Sequence, residues 1–557
     1  MRRNEKMATK YIFVTGGVVS GLGKGLTAAA LGRLLIARGL NVRIQKFDPY
    51  INVDPALMNP TQHGEIFMTE DGAETDLDIG HYERFTDVNL TSESDITSGR
   101  VYLNVINRER SGGYDGGTVQ VVPHIINEIK DHIYLVSEGG EVDVVISEIG
   151  GTIGDMEGQP FIEAIRQVSY EVGRENCLFI HVTLLPFLNK PGELKTKPTQ
   201  HSVQKLLSFG IQPDILVCRT ELPLDQGIRE KLALYCNVRT DSVIQNIDCE
   251  SIYELPLILE KEGLARIVCE RLCLDTPAPN LEDWEQLVEK TRADREGLTV
   301  ALVGKYTELQ DAYYSIVEAL DHAGIALGLL PEIEWISSEE LEAISDDEID
   351  RRLTGVDAVI VPSGFGARGM EGMIAASRSA RELGIPFLGI GLGMQMAMVD
   401  IARHVAGLSK AHTDEAELDD CQDIFYYANL TEELKKNLDK IPISDRPMRR
   451  GAYTMVLEEG STLRDIYGTG EVSERHHHRR EFNPAYSEAL AATGLRFSGM
   501  SSDGHWVYAF EWPHHPFFIG VISNPQFKSR PTRPHPLFLA FLEKAIERKR
   551  SKEVSHG

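Results

Sequence analysis

The sequence predicts an α/β protein of two successive domains, each built on a largely parallel sheet, and three observations carry that reading. The chain has 557 residues, more than one hydrophobic core ordinarily serves, so two domains of roughly 250 residues each are expected. Its first half alternates short apolar runs with helical segments, the pattern of parallel strands joined by crossover helices. A second series of the same kind follows a polar stretch that opens with two prolines.

In chain order, the strands of the first series are "KYIFVTGG", "LNVRIQKF", "VDVVISEIGG", "CLFIHVTLL" and "PDILVCR". The stretch "LDTPAPNLEDWEQLVEKTRADREG" then breaks the pattern and ends in glycine, which marks a linker. The second series reads "LTVALVGKY", "VDAVIVPSGFG", "IPFLGI" and "PFFIGVIS". These divide the chain into a domain over residues 1–275, a linker over 276–297, a domain over 298–545 and a tail over 546–557, the tail expected as a fraying helix end. No internal repeat is visible.

Composition narrows the function. Hydrophobic residues make up 42% and charged residues 25%, the balance of a soluble globular protein. A net charge of -27 excludes general affinity for nucleic acid or an anionic membrane, so a polyanionic substrate needs a local basic pocket. No apolar run reaches the roughly 20 residues of a membrane span, and the start "MRRNEKMATKYIF" lacks a signal peptide's apolar stretch; a cytoplasmic protein is expected. Seven cysteines without a CxxC pair fit reduced thiols, with Cys269 and Cys273 expected as a buried structural pair.

The first domain carries phosphate chemistry. "VTGGVVSGLGKGLTAAALGRLL" is a glycine-rich loop between strand and helix, whose backbone N–H groups and positive helix end suit phosphates while Lys24 neutralises their charge. It departs from the strict phosphate-loop form by one extra residue and by Gly25 where Ser or Thr is usual. Lys46, Glu148 and Arg219 fall at strand ends, the rim where open parallel sheets bind ligands. "QHGEIFMTEDGAETDLDIGHYERF" adds carboxylates, with His63, Asp76 and Asp78, and such acids beside a phosphate loop suit Mg²⁺. "GELKTKPTQHSVQKL" brings Lys195 and Lys197 together with Gln200 as a second polyphosphate clamp, so two nucleotides are expected.

The second domain poses a puzzle. "FLGIGLGMQMA" has the spacing of a nucleophile elbow, yet its apex is Gly391, flanked by Gly389 and Gly393. An elbow without a reactive atom can bind but cannot attack.

Taken together, "YIFVTGGVVSGLGKG", "DGAETDLDIGHYERF", "TVQVVPHIINEI", "EIGGTIGD", "FIEAIRQ" and "GELKTKPTQHSV" closely resemble the CTP synthase family along nearly the whole chain. The resemblance implies an ATP-dependent amidoligase domain, related in fold to dethiobiotin synthetase, followed by a class I glutamine amidotransferase-like domain. It implies that ATP, a co-substrate, lies on Ser20, Gly21, Leu22, Gly23, Lys24, Gly25 and Leu26, with Asp78 and Arg219 nearby. Asp78 and Glu148 would bind Mg²⁺. Lys24 and Lys46 would be catalytic. UTP, or CTP as feedback inhibitor, would be held by Ser20, by Asp155, Met156 and Glu157, by Lys195, Thr196, Lys197, Pro198, Thr199 and Gln200, and by Lys231. A homotetramer is implied as well, and GTP is left open.

In the family, a Cys, His, Glu triad in the second domain releases ammonia from glutamine. Here Gly391, Asn524 and Gln526 occupy those positions. Glycine offers no nucleophile, and a carboxamide does not titrate near neutral pH. Cys421, in the same domain, is the one conceivable relocated nucleophile, and nothing in the sequence places it at the elbow. Around the triad, "PSGFG" puts Ser363 where the family has glycine, Gly364 and Gln395 persist, "TDEA" keeps Glu415, and in "SERHHHRREFN" His477 replaces an arginine. The histidine run reads as a solvated basic loop. In the first domain "RSGGYDGG" carries Ser111 and Asp115 where the family has Arg and Leu, in a loop tied there to ammonia passage and GTP activation.

The expectation is therefore a CTP synthase-type ligase fed by free ammonia and carrying an inert glutaminase-like domain. Ala56, Leu57 and Asn59, which depart from the family's glycine, threonine and serine, leave open a paralogue acting on another amine or a modified pyrimidine nucleotide. A regulatory subunit of an active CTP synthase is the third reading, opposed by the retained Lys24, Lys46, Asp78 and Glu148.

Overall fold

The computed structural model describes residues 8–19, 21–138, 140–190, 192–428 and 446–556. Contacts divide them into two units. One comprises the chain up to Pro55 together with Asp78–Thr291, and the other Ala56–Leu77 together with the chain from Arg292 onward.

The first unit is built on strands β1 (Lys10–Gly16), β2 (Val42–Asp48), β3 (Asp95–Thr97), β4 (Val144–Ile149), β5 (Cys177–Leu184), β6 (Ile215–Thr220) and β7 (Val243–Ile247). They pair in parallel in the order β7-β6-β5-β1-β4-β2-β3. All seven residues of β1 are buried, as expected of a central parallel strand covered on both faces. Helix α1 (Lys24–Ala37) returns from β1 across the sheet. Its Ala28, Ala29 and Ala30 are fully buried, and a Cβ on Gly32 would lie 2.6 Å from Ile44, so small residues let the helix approach β2 closely.

The second unit contains β8 (Glu296–Gly304), β9 (Leu329–Ser337), β10 (Ala358–Val361), β11 (Phe387–Ile390), β12 (Arg449–Leu457), β13 (Glu471–His478), β14 (Arg496–Ser501), β15 (Val507–Glu511) and β16 (Phe518–Val521). The sheet order is β9-β8-β10-β11-β16-β15-β14-β12-β13, parallel through β16 and antiparallel beyond it. Helix α2 (Leu392–His404) follows β11. No helix among the described residues is long and apolar enough to cross a membrane.

Four features differ from the sequence reading. The stretch 276–297, expected as a linker, holds the helix Glu282–Arg292, whose Trp284 is buried against Phe85 and Tyr253 and donates from Nε1 to the Tyr253 carbonyl at 2.7 Å. Arg33 sits 5.0 Å from the Trp284 ring centre and pairs with Asp283 at 2.6 Å. One tryptophan and one ion pair thus fasten a polar-looking segment to the first unit.

The segment 56–77, assigned from sequence to the first domain, packs in the second unit. The Phe67 ring lies 5.0 Å from that of Phe527, and Arg475 donates to the Met68 carbonyl at 2.9 Å. Glu65 accepts from the Ser315 amide at 3.0 Å, Glu70 pairs with Lys528 at 3.2 Å, and Glu74 pairs with His477 at 2.7 Å. Three carboxylates of the acid-rich stretch thus find their partners far along the chain.

The histidine run is also not a solvated loop. It lies on β13, where alternation buries His476 and His478 on one face and turns His477 to Glu74 and the edge of Phe365 on the other. Cys269 is buried, whereas Cys273, in a left-handed helix cap, is exposed.

Candidate active site

At the carboxyl end of β1 the chain turns through a glycine-rich loop into α1. Gly21 and Gly23 take φ of 71° and 82°, a left-handed conformation that side chains resist, and Gly23 leads directly into Lys24. Ser20 lies outside the described residues. Lys24, 7% exposed, donates to the Gly151 carbonyl at 2.9 Å and so is held at the mouth of the loop.

The buried Lys46 on β2 pairs with Asp78 at 2.5 Å and with Asp48 at 3.5 Å. Glu148 on β4 accepts a hydrogen bond from Tyr82. The Asp78 and Glu148 carboxylates converge on one spot beside α1: a Cβ added to Gly25 would lie 2.6 Å from Asp78 Oδ1 and 3.2 Å from Glu148 Oε2. Burial pushes Asp78 up, but Lys46, His81 and Lys24 outweigh it and hold the acid below its ordinary range. Burial, then the negative charge of Asp78, pushes Glu148 up to about 7. A buried and a half-buried carboxylate in such proximity suit a hard divalent cation. His63 and Asp76, from the same acid-rich stretch, cluster with the second unit. Among the described residues no group of three or more His, Cys, Asp or Glu side chains is arranged for a metal, so phosphate and water oxygens would have to complete the shell.

Arg219, at the end of β6, donates to the Gly21 carbonyl at 3.3 Å and pairs with Asp248 at 3.1 Å. It lines a pocket with Leu22, Gly23 and Leu26 from the loop and with Asn246 at the end of β7 and Asp248 and Ile252 beyond it. The sequence reading missed this last group, whose signal is its place after a strand end, like Arg219 itself.

A second cavity opens under the loop between Gly16, Gly151, Ile153, Asp155 and Phe209. Asp155 is exposed and caps its own turn through the Thr152 amide at 3.0 Å; Met156 and Glu157 are exposed beside it. Helix α3 (Lys197–Ser208) begins after Thr196 with Pro198 in its first turn. Thr199 is tied to the Leu184 carbonyl at 3.1 Å and Gln200 to Thr196 at 3.1 Å, while Lys195 pairs with Glu193 and Lys197 reaches over the Tyr235 ring. Ser202 and Lys205 of α3 bring it against Gly17 and Gly154, so the helix and the 155–157 turn flank the same region. Lys231 is exposed on the helix Gln226–Cys236. His181, which sequence reading did not single out, bridges Thr15 and Ser202 at 2.8 and 2.7 Å, and burial followed by Lys24 drives it down to about 3.

The second junction, from β11 into α2, keeps the shape of a nucleophile elbow. Gly391 takes φ 57° and ψ -112°, and a Cβ on Gly389 would lie 2.8 Å from the Gly393 carbonyl oxygen. A Cβ on Gly391 would collide with the Ser363 hydroxyl and lie 3.1 Å from the Ser363 Cβ. Ser363 fills the space that a side chain at the apex would need. Its hydroxyl donates to Asn524 Oδ1 at 2.8 Å, and Gln526 Nε2 donates to the same oxygen at 3.2 Å. Ser363, Asn524 and Gln526 thus form a neutral hydrogen-bonded chain beside Gly391.

Glu415 accepts from the Gly366 amide at 2.6 Å and pairs with Arg480 at 3.0 Å, a structural role. Burial and Asp423 push the Cys421 thiol up to about 12, which leaves it no thiolate at neutral pH. Asn59 caps the short helix Pro60–His63 through the Thr61 amide at 3.0 Å, and Leu57 is exposed; both belong, with Ala56, to the segment that packs in the second unit.

Residues 10–274 match the family described as CTP synthase N-terminus, and residues 308–544 match glutamine amidotransferase class-I. A CTP synthase of Ruminiclostridium cellulolyticum is 54% identical over 543 residues, 98% of this chain and 100% of the relative. One from Clostridium perfringens is 53% identical over 97% of this chain and 99% of its own, and one from Symbiobacterium thermophilum 52% identical over 98% and 100%. Among solved structures, the glutaminase domain of Trypanosoma brucei CTPS with bound acivicin aligns at 34% identity and a TM-score of 0.41, covering 45% of this chain and 94% of that one.

Proposed function

Because the chain belongs to the CTP synthase family, we propose that it aminates UTP at C4 at the expense of ATP and takes its nitrogen from free ammonia rather than from glutamine. The observation that carries the second half is the Ser363, Asn524 and Gln526 chain around Gly391. None of these groups can form a nucleophile–base pair: the hydroxyl faces a carboxamide, which takes up no proton near neutral pH.

The ligase chemistry follows from the first unit. The C4 carbonyl of uracil is amide-like and its oxygen is a poor leaving group. O4 attacks the γ-phosphorus of ATP, ADP leaves and N3 gives up its proton to solvent; ammonia then adds to C4, the phosphate departs with the original oxygen, and the added nitrogen sheds its surplus proton. Gly21, Gly23 and the start of α1 present N–H groups to the phosphates, and Lys24 and Lys46 put positive charge where the transferring phosphoryl is most negative. Asp78 and Glu148 would hold Mg²⁺, which when bound supplies further charge neutralisation at the nucleotide phosphates. Arg219 and the pocket beyond β7 would receive the adenosine. The 155–157 turn and the start of α3 would receive UTP, and CTP as inhibitor.

The test incubates the purified protein with ATP, Mg²⁺ and UTP and follows CTP. Ammonium is expected to support turnover. Glutamine carrying labelled amide nitrogen, with free ammonia scavenged, is expected to give no labelled CTP; label in the product would overturn the ammonia-only reading.

A further inference from the structure

Ordinary phosphate loops carry a Ser or Thr hydroxyl directly after the lysine, and that hydroxyl is a metal ligand. Here the position is Gly25, and the space above it is taken. A Cβ would stand 2.6 Å from Asp78 Oδ1, which would have to move, and 3.2 Å from Glu148 Oε2, which would have to give by a few tenths of an ångström. A side chain here is incompatible with the present position of Asp78 and crowds Glu148.

We infer that Gly25 is a specificity-determining position for the metal–nucleotide substrate and Tyr82 its positioning residue: the missing side chain admits the two carboxylates to the first turn of α1, and the Tyr82 hydroxyl holds Glu148 there. Three placements support this. Asp78 opens the helix Leu77–Thr86, in which Tyr82 lies one turn later on the same face, fully buried. Lys46 pins Asp78 from β2 at 2.5 Å. Glu148, 3% exposed at the end of β4, receives the Tyr82 hydroxyl on the same oxygen, Oε2, that a Gly25 Cβ would crowd. The cation is thereby offered carboxylate oxygens from two strand and helix ends in place of one hydroxyl from the loop.

This inference rests on the ligase reading, and its test is a binding measurement that does not need turnover. Mn²⁺ is titrated by electron paramagnetic resonance against the full chain loaded with a non-hydrolysable ATP analogue. Gly25→Ser restores the residue that other phosphate loops use, and it is expected to weaken Mn²⁺ binding at least tenfold. Tyr82→Phe keeps the ring and removes one hydroxyl; it is expected to weaken Mn²⁺ binding roughly three- to tenfold, with an unchanged melting temperature in the absence of metal and nucleotide. Equal or tighter Mn²⁺ binding by Gly25→Ser overturns the proposal, as does unchanged binding by Tyr82→Phe. Should Gly25→Ser fail to fold, Tyr82→Phe decides alone. Failure of the ligase reading would look different, as normal metal–nucleotide binding without CTP from UTP and ammonium.

Discussion

The two units each contain a strand that breaks at glycines and turns into a helix, and the two junctions have opposite chemistry. After β1, a lysine, an ion pair and two carboxylates converge on the helix start. After β11, the same kind of turn is surrounded by a hydroxyl and two carboxamides. The elbow keeps its shape because packing requires it: a Cβ on Gly389 would meet the Gly393 carbonyl and one on Gly393 the Val361 carbonyl, so a side chain on either would disrupt the turn, whether or not the apex reacts. Backbone geometry and chemistry are therefore separable, and geometry alone is no sign of activity.

The contrast can be broken most sharply at Lys46. Lys46→Met is expected to lower kcat/KM for ammonia-driven CTP formation by about 10²–10³-fold, read by steady-state kinetics; a loss below tenfold would remove the ligase junction from the comparison. At the other junction, Gly391→Cys is expected to restore no glutaminase activity, since Asn524 and Gln526 remain, and to cost about 1–3 kcal/mol through the positive φ and the Ser363 contact. Adding Ser363→Gly should recover the steric part of that loss in a denaturant titration; equal stability of single and double variants would show that Ser363 does not occupy the apex.

A pH effect probes the first unit alone. His181 is held neutral in the fold, down to about 3, while the unfolded chain protonates below about 6.5. Its contribution is complete above 6.5 and is lost as pH falls toward 3, at up to about 1.4 kcal/mol per pH unit. His181→Asn should flatten the acid limb of the melting temperature against pH; an unaltered slope would show that the His181 bridge is not what acid breaks. Smallest, Arg219→Ala is expected to raise KM for ATP roughly fivefold, on the order of 1 kcal/mol for a part-exposed charge, with kcat for ammonia held within about twofold.

Much of this contrast is legible in the sequence because strand-end residues declare themselves: Lys46, Glu148, Arg219 and the three glycines of the elbow each follow an apolar run. Nine strands read as apolar runs match strands of the two sheets. What escapes is carried by contacts between distant residues. β3 has only three residues, and β9, "LLPEIEWIS", is partly exposed and interrupted by Pro331, so neither gives an apolar run. Tyr82 and His181 look like ordinary core residues until Glu148 and Ser202 are placed beside them. The exchange of Gly391 with Ser363 is visible as two separate departures, but their mutual exclusion is a fact of three dimensions.

The segment 56–77 has a consequence for the history of the chain. A lineage with no further use for the glutamine-splitting half could not discard it at a single breakpoint near residue 275. The loss would strand Phe67, Glu65, Glu70 and Glu74 without the side chains that receive them, in the middle of the half that must survive. Removing the second unit would take two cuts, one on each side of that segment, whereas a point substitution takes none.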